Sequence, residues 1–250
     1  MTPLLAAADP VHLIAHRGGV VDDQHPENSL ASLEAAIARG YWMIEVDIRR
    51  TKDGRAILQH DPTFQRYYGD PRPVAELTWA EVSRLRAEPG GRSPLAFEEL
   101  CERCAGRIRL MLDIKVNDQP PGFHEGLAAT LARHGLLETA YVLSSGGADA
   151  FWRTRCRTMR GTDAIRTALA AGDPVARTGA LFEIAGRLTE PAVRLAQEHG
   201  IPVVAAINTF RYRMAGVDDQ EGAAADAARL LTLGVRHFQI DSIYERHFRR

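Results

Sequence analysis

The chain has 250 residues, of which 45% are hydrophobic, 25% charged and 7% aromatic, a composition typical of a soluble globular protein. Its 31 lysines and arginines against 32 aspartates and glutamates leave a formal net charge of −1, which argues against a protein that mainly coats nucleic acid or an anionic membrane. Three cysteines argue against a disulfide framework, and no apolar run approaches the roughly 20 residues of a membrane-spanning helix. We therefore expect a cytoplasmic protein without stable membrane insertion. The sequence does not specify its oligomeric state.

Short apolar runs alternate with amphipathic stretches along the whole chain, as in proteins built on a parallel β-sheet. Eight runs are predicted strands: His12–His16, Tyr41–Ile48, Arg107–Lys115, Ala140–Ser144, Arg157–Gly161, Gly179–Ile184, Ile201–Ile207 and Val235–Asp241. Helices are predicted between them, each ending just before a glycine: Asn28–Arg39, His124–His134, Pro191–His199 and Gly222–Leu233.

Eight strands in about 250 residues predict a single domain over residues 1–250 with the α/β architecture of a TIM (β/α)8 barrel. A doubly wound open sheet is the structural alternative. The glycine-rich G-x-G-x-x-G fingerprint of that fold is missing after the first strand, where the sequence reads His16-Arg17-Gly18-Gly19. The barrel is therefore the preferred prediction.

Charged residues inside predicted strands point to function, because burying an unpaired charge is costly. In the second strand Glu45 and Asp47 alternate with apolar residues, and in the third Asp113 and Lys115 do the same. In a barrel these side chains would point inward near the carboxyl ends of the strands. Three carboxylates at one mouth predict a site for one divalent cation, Mg²⁺ or Ca²⁺, although each segment alone also fits an edge strand with a solvated face.

Two histidines are predicted to flank these carboxylates. His16 ends the first strand, whose carboxyl end lies beside that of the second. Asp53-Gly54 is a tight-turn signal, after which Arg55–His60 is predicted to return beside the second strand as a short β-hairpin. Reflecting the chain about the 53–54 bond places His60 beside Asp47 in a regular hairpin, and a bulge would shift this register by a residue or two. Histidine titrates in the range that proton transfer at neutral pH requires.

Cations for an anionic group are predicted at the same mouth. Arg17 and Lys115 are side chains of the kind that phosphate binds. Asn28 stands at the start of the first predicted helix, where it is the expected N-cap and where backbone N–H groups favour anions. The expected partner is therefore a small phosphate-containing molecule.

Taken in order, these motifs resemble the glycerophosphodiester phosphodiesterase family, within the phospholipase-C-like phosphodiesterases. The resemblance covers about residues 11–116. It is carried by His16-Arg17-Gly18, Pro26-Glu27-Asn28-Ser29, Glu45-Val46-Asp47, Thr51-Lys52-Asp53-Gly54, His60-Asp61, Leu77-Thr78 with Glu81-Val82, and Leu112-Asp113-Ile114-Lys115.

The resemblance implies a TIM barrel that hydrolyses glycerophosphodiesters to sn-glycerol 3-phosphate and an alcohol such as choline or ethanolamine, as part of lipid and glycerol metabolism. In the chemistry it implies, a glycerol hydroxyl of the substrate attacks phosphorus, and water then opens the cyclic phosphate. The implied roles are metal ligands for Glu45, Asp47 and Asp113, acid and base for His16 and His60, phosphate contacts for Arg17 and Lys115, and lining of the site for Glu27 and Asn28.

This sequence departs from the family pattern at several places. Asp113 stands where the family usually has glutamate, the stretch 205–208 lacks its tryptophan, and Gln239-Ile240-Asp241 replaces a common Thr-Asp. Two alternatives follow. One is a lysophospholipase D-like or sphingomyelinase D-like phosphodiesterase on the same barrel, which an apolar groove beside the mouth would favour. The other is a non-catalytic phosphate-binding barrel.

Overall fold

The computed structural model describes residues 10–87, 91–115, 119–143 and 147–249. Ser144, the end of one predicted strand, lies outside these ranges, as do positions 1–9 and 250 of the predicted domain. The strands are β1 His12–Ala15, β2 Met43–Arg50, β3 Ala56–Leu58, β4 Thr63–Phe64, β5 Asp70–Pro73, β6 Arg109–Ile114, β7 Tyr141–Leu143, β8 Arg157–Arg160, β9 Gly179–Ile184, β10 Val203–Ile207 and β11 His237–Ile240. The α-helices are α1 Leu30–Ala38, α2 Gln65–Tyr68, α3 Trp79–Val82, α4 Phe97–Cys104, α5 Pro121–Arg133, α6 Gly147–Trp152, α7 Thr162–Ala170, α8 Val175–Thr178, α9 Glu190–Glu198, α10 Thr209–Ala215 and α11 Asp219–Thr232.

Eight of the strands form a closed parallel barrel. Their order around it is β1, β2, β6, β7, β8, β9, β10 and β11, and β11 pairs back onto β1. These are the eight predicted strands, and each observed end lies within two residues of its predicted position. The TIM barrel is confirmed, and the open-sheet alternative is excluded by the pairing of the first strand with the last.

The barrel wall follows the predicted period-two alternation of side chains. Ile44 and Val46 of β2 belong to the large apolar core shared with the surrounding helices. Met43, one position earlier, belongs to a separate inner cluster that also contains Ile14, Met111, Tyr141, Met159, Ala180 and Val204. Glu45 and Asp47 share the inner face with Met43, on the side toward the carboxyl end of β2. The barrel interior is therefore apolar around Met43 and polar at the mouth, where the carboxyl ends of the strands lie.

The hairpin after β2 is present, with a register one residue away from the predicted one. Ile48 pairs with Leu58, and the Gln59 N–H donates to the Asp47 carbonyl oxygen at 2.9 Å. His60 therefore lies one residue beyond the position opposite Asp47, within the expected shift of a residue or two. The register differs because of the loop length. The Thr51 N–H donates to the Arg55 carbonyl oxygen at 2.9 Å, so the loop between them has three residues rather than two.

A small subdomain follows the hairpin and lies over one side of the mouth. It comprises β4, α2, β5 and α3, and its apolar cluster joins Phe64, Val74, Leu77 and Val82 to Ile57 of β3. Among the described helices, none combines the length and apolarity that crossing a membrane requires.

Candidate active site

The loop after β1 packs its backbone directly onto the chain that precedes α1. The Asn28 N–H donates to the Arg17 carbonyl oxygen at 2.7 Å, and both residues have positive φ, 52° and 57°. A Cβ atom on Gly18 would lie 2.7 Å from the Asn28 Cα, closer than two carbon atoms can approach. Glycine at this position thus lets the loop bring His16 and Arg17 to the mouth.

The sequence predicted Asn28 as the N-cap of α1, and this prediction is wrong. Ser29 is the cap, and its Oγ accepts a hydrogen bond from the Ser32 N–H at 3.2 Å. The left-handed backbone of Asn28 turns its side chain to Asp47 instead, where Nδ2 donates to Oδ2 at 2.8 Å and Oδ1 accepts from the Asp47 N–H at 3.3 Å. Asn28 therefore orients one of the carboxylates.

The three predicted carboxylates converge. Asp47 and Asp113 lie opposite each other on β2 and β6. Glu45, Asp47 and Asp113 each offer one carboxylate oxygen, and these three oxygens lie within 4.8 Å of one another. Burial, together with the charge of Asp47, raises the pKa of Glu45 to about 8. A bound cation would relieve that repulsion, and three carboxylate oxygens are the ligands that Mg²⁺ and Ca²⁺ prefer, so the residues fit such an ion.

Lys115 lies at the edge of this cluster. Its Nζ is 2.8 Å from Asp47 Oδ1 and 2.5 Å from Asp113 Oδ2. Partial burial opposes the charge of the ammonium group, but the two carboxylates outweigh it and raise the pKa of Lys115. The side chain is thus a fixed cation beside the carboxylates, where a phosphate oxygen could also contact it.

His16 is held by a carboxylate that is not among the predicted site residues. Its Nδ1 donates to Asp241 Oδ1 at 2.6 Å, while its Nε2 lies 3.9 Å from Glu45 Oε2. Burial alone would lower the pKa of His16, but the Asp241 hydrogen bond and the nearby negative charges raise it overall. Partial burial of the Asp241 carboxylate would raise its pKa, yet the bonds from His16 and from the backbone and side chain of Thr209 lower that pKa to about 2.

His60 has an equivalent carboxylate. Its Nδ1 donates to Asp61 Oδ1 at 2.8 Å, and its Nε2 is 3.2 Å from an Arg17 guanidinium nitrogen. Arg49 donates two bonds to the His60 carbonyl oxygen, at 3.1 and 2.6 Å, which fixes the backbone of the residue. The shifted hairpin register therefore still leaves this imidazole at the site.

Arg17 is positioned from both ends by carboxylates. Its backbone N–H donates to Glu45 Oε2 at 2.8 Å, and its guanidinium Nη1 donates to Glu27 Oε2 at 2.8 Å. Glu27 is buried and also lies 3.5 Å from the Arg66 guanidinium. Glu27 therefore reaches the site through Arg17, whose guanidinium it orients.

A cavity of about 540 Å³ adjoins His16 and Arg17. Phe210 and Met214 of α10, together with Ile243, form its apolar side, and these side chains are 46%, 84% and 48% exposed. The rim is absent from the site predicted on the sequence. Its only signal in the sequence is an apolar pair four residues apart directly after the predicted seventh strand.

The sequence is similar to proteins of one family over about half of its length. A family model described as the glycerophosphoryl diester phosphodiesterase family matches residues 16–135. Glycerophosphodiester phosphodiesterase 1 of Rattus norvegicus is 35% identical over 121 residues, which span 45% of this chain and 36% of the rat protein. Glycerophosphodiester phosphodiesterase of Bacillus subtilis (strain 168) is 29% identical over 158 residues, 55% of this chain and 53% of that protein. The chain thus spans between about a third and about half of the length of these relatives.

Solved structures with the same fold cover nearly the whole chain. The crystal structure of glycerophosphodiester phosphodiesterase from Agrobacterium tumefaciens str. C58 has a TM-score of 0.74 at 17% identity, over 95% of this chain and 98% of that one. An Oleispira antarctica phosphodiesterase, solved in complex with the product sn-glycerol-3-phosphate, has a TM-score of 0.70 at 20% identity, over 94% and 96% of the two chains. These similarities show a shared barrel.

Proposed function

We propose that the chain is a member of the glycerophosphoryl diester phosphodiesterase family and that it hydrolyses glycerophosphodiesters to sn-glycerol 3-phosphate and an alcohol. One observation carries the proposal. A single barrel mouth holds three clustered carboxylates, two fixed cations and two histidines that each donate to a carboxylate of their own. Such a set can bind a divalent cation, take up a phosphate group and move two protons.

The proposed metal site consists of Glu45, Asp47 and Asp113. A Mg²⁺ or Ca²⁺ ion bound there would supply positive charge for the phosphate oxygens and lower the pKa of the attacking hydroxyl. Arg17 and Lys115 lie beside the cluster and would contact the remaining phosphate oxygens. Because Glu27 and Glu45 hold Arg17 in place before substrate arrives, little reorganisation is needed on binding.

Two protons move in each half of the proposed reaction. His60 takes the proton of a glycerol hydroxyl, the hydroxyl oxygen forms a bond to phosphorus, and the bond from phosphorus to the alcohol oxygen breaks. His16 donates a proton to that departing oxygen; this role suits an imidazole whose pKa the Asp241 carboxylate raises. Water then opens the cyclic phosphate, with His16 as base and His60 as acid.

The test is hydrolysis of glycerophosphoethanolamine, measured as sn-glycerol 3-phosphate released with Mg²⁺ or Ca²⁺ and again with a chelator. We expect activity that the chelator abolishes, and losses of about 10²- to 10⁴-fold in kcat for His16→Ala and His60→Ala. His199→Ala, on the exposed side of the barrel after α9, is the matched control and should behave as wild type.

Full activity in either active-site histidine variant would contradict the mechanism. Binding of Mg²⁺ and of sn-glycerol 3-phosphate without any turnover would instead support a non-catalytic phosphate-binding barrel.

A second candidate substrate class has an observation in its favour. The apolar rim formed by Phe210, Met214 and Ile243 is the kind of groove that a lysophospholipase D-like or sphingomyelinase D-like enzyme would use for a hydrocarbon chain. Release of choline from lysophosphatidylcholine, at a rate comparable with the hydrolysis of glycerophosphoethanolamine, would support it.

A further inference from the structure

The cavity beside His16 has an uneven balance of charge. Its two carboxylates are both engaged, Glu27 with Arg17 and Arg66, and Asp241 with His16. Arg213, on α10, also lines the cavity. Its guanidinium makes no ion pair and no hydrogen bond with any residue that the structure describes. The cavity therefore offers cationic donors and has no carboxylate to spare.

The proposed function places one part of the substrate in this cavity, and the inference rests on it. In a displacement at phosphorus the attacking and leaving oxygens lie roughly in line on opposite sides. If His16 protonates the leaving oxygen, the alcohol lies on the His16 side, which is where the cavity opens. The cavity is then the binding site for the alcohol.

We propose that this cavity selects an alcohol that carries an anionic group, with Arg213 as the main specificity-determining residue and Arg66 as its assistant. A carboxylate is the expected group, since guanidinium binds carboxylates through paired, charge-assisted hydrogen bonds. Phe210, Met214 and Ile243 would contact the carbon skeleton of the alcohol.

Arg66 is suitably held for the assisting role. Its guanidinium stacks on the Tyr67 ring at 4.7 Å from the centroid and lies 3.5 Å from Glu27 Oε2. Stacking and the ion pair limit the orientations of the side chain, while its remaining donors stay available to a ligand. Glu27 already serves Arg17 at 2.8 Å, so it neutralises Arg66 only in part.

The same lining is poorly suited to a quaternary ammonium group. Such groups bind within cages of aromatic rings or beside a free carboxylate. Among the residues that line the cavity Phe210 is the one Phe, Tyr or Trp, and both carboxylates are paired with bases. Choline is thus the wrong match in charge and in shape.

Glycerophosphoserine and glycerophosphoethanolamine make a clean test, because their alcohols differ by one carboxylate. We expect wild-type kcat/KM to favour glycerophosphoserine by about tenfold, the value of one partly exposed charge-assisted contact. Arg213→Ala should reduce that ratio about five- to tenfold, Arg213→Lys should retain part of it, and Arg213→Glu should reverse the order of the two substrates. Arg66→Ala should shift the ratio in the same direction by less.

Arg177→Ala is the matched control, because Arg177 is an exposed arginine of α8, next to the amino end of β9. It should leave the ratio at the wild-type value. Loss of folded protein lowers both rates by the same factor, so the ratio reports only on the molecules that remain folded. A wild-type ratio in both Arg213→Lys and Arg213→Glu, with both rates still measurable, therefore overturns the inference. Equal wild-type rates, or a preference for ethanolamine, also overturn it while leaving the proposed function standing. No product from either diester overturns both.

Discussion

At the scale of single residues, each of the two histidines depends on a carboxylate, and only one of these carboxylates lies in a family motif recognised in the sequence. His60 finds its partner in the next residue, Asp61, whereas His16 finds Asp241 across 225 positions of sequence. Asp241 is fixed in turn by the backbone N–H and hydroxyl of Thr209, at 2.6 and 2.7 Å. Both imidazoles are therefore held in a fixed orientation without any bound ligand.

Asp241→Asn should show whether Asp241 positions the His16 imidazole or only stabilises the fold. Without the carboxylate, the pKa of His16 falls and the imidazole loses its fixed orientation, so we expect kcat to drop at least about 10²-fold with little change in KM. Because the proposed role of His16 as acid requires its protonated form, the alkaline limb of the kcat–pH profile should move to lower pH. A fall in thermal stability with an unchanged profile in the residual activity would contradict this role.

At the scale of elements, the sequence predicts what depends on local periodicity. The alternation along β2 and β6 placed Glu45, Asp47 and Asp113 on the inner face, because a strand cannot change face without breaking its period of two. The hairpin register differs from the regular one by one residue because it depends on the length of the loop. The N-cap of α1 was missed because the choice between Asn28 and Ser29 depends on the backbone of the preceding loop.

That loop supplies the next prediction. Gly18→Ala forces a Cβ to within 2.8 Å of the Asn28 backbone at φ +90°, so we expect unfolding free energy to fall by about 2 kcal/mol or more and activity to be largely lost. Gly40→Ala is the control, since Gly40 has φ +68° with nothing within 4 Å of its Cβ position and should cost only about 1 kcal/mol. Urea unfolding measures both. Equal losses in the two variants would show that the contact with Asn28 does not matter.

At the scale of the whole molecule, barrel closure creates the contacts that no local pattern contains. The pairing of β11 with β1 brings Asp241 to His16 at the carboxyl end and stacks His237 on His12 at the amino end, with ring centroids 4.8 Å apart. Both pairs could be found from the sequence only once the first and last predicted strands are taken as neighbours. The two ends differ in chemistry. The His16 imidazole lies beside carboxylates. The imidazoles of His12 and His237 lie instead near the Trp42 ring and the positive charges of Arg109 and Arg157.

This difference makes the amino end of the barrel sensitive to acid. Burial, with the charges of His12, Arg109 and Arg157, lowers the pKa of His237 to about 4. Between the unfolded value of about 6.5 and 4, the unfolded chain binds a proton that the folded barrel does not, so stability falls as the pH drops through this window and levels off below it. With the ring partly exposed, we expect a loss of about 1–3 kcal/mol, measured by urea unfolding at pH 7.5 and at pH 4.5. His237→Gln should show a smaller loss between these pH values than wild type, whereas His199→Gln should not. An undiminished loss in His237→Gln would assign the acid sensitivity to other groups.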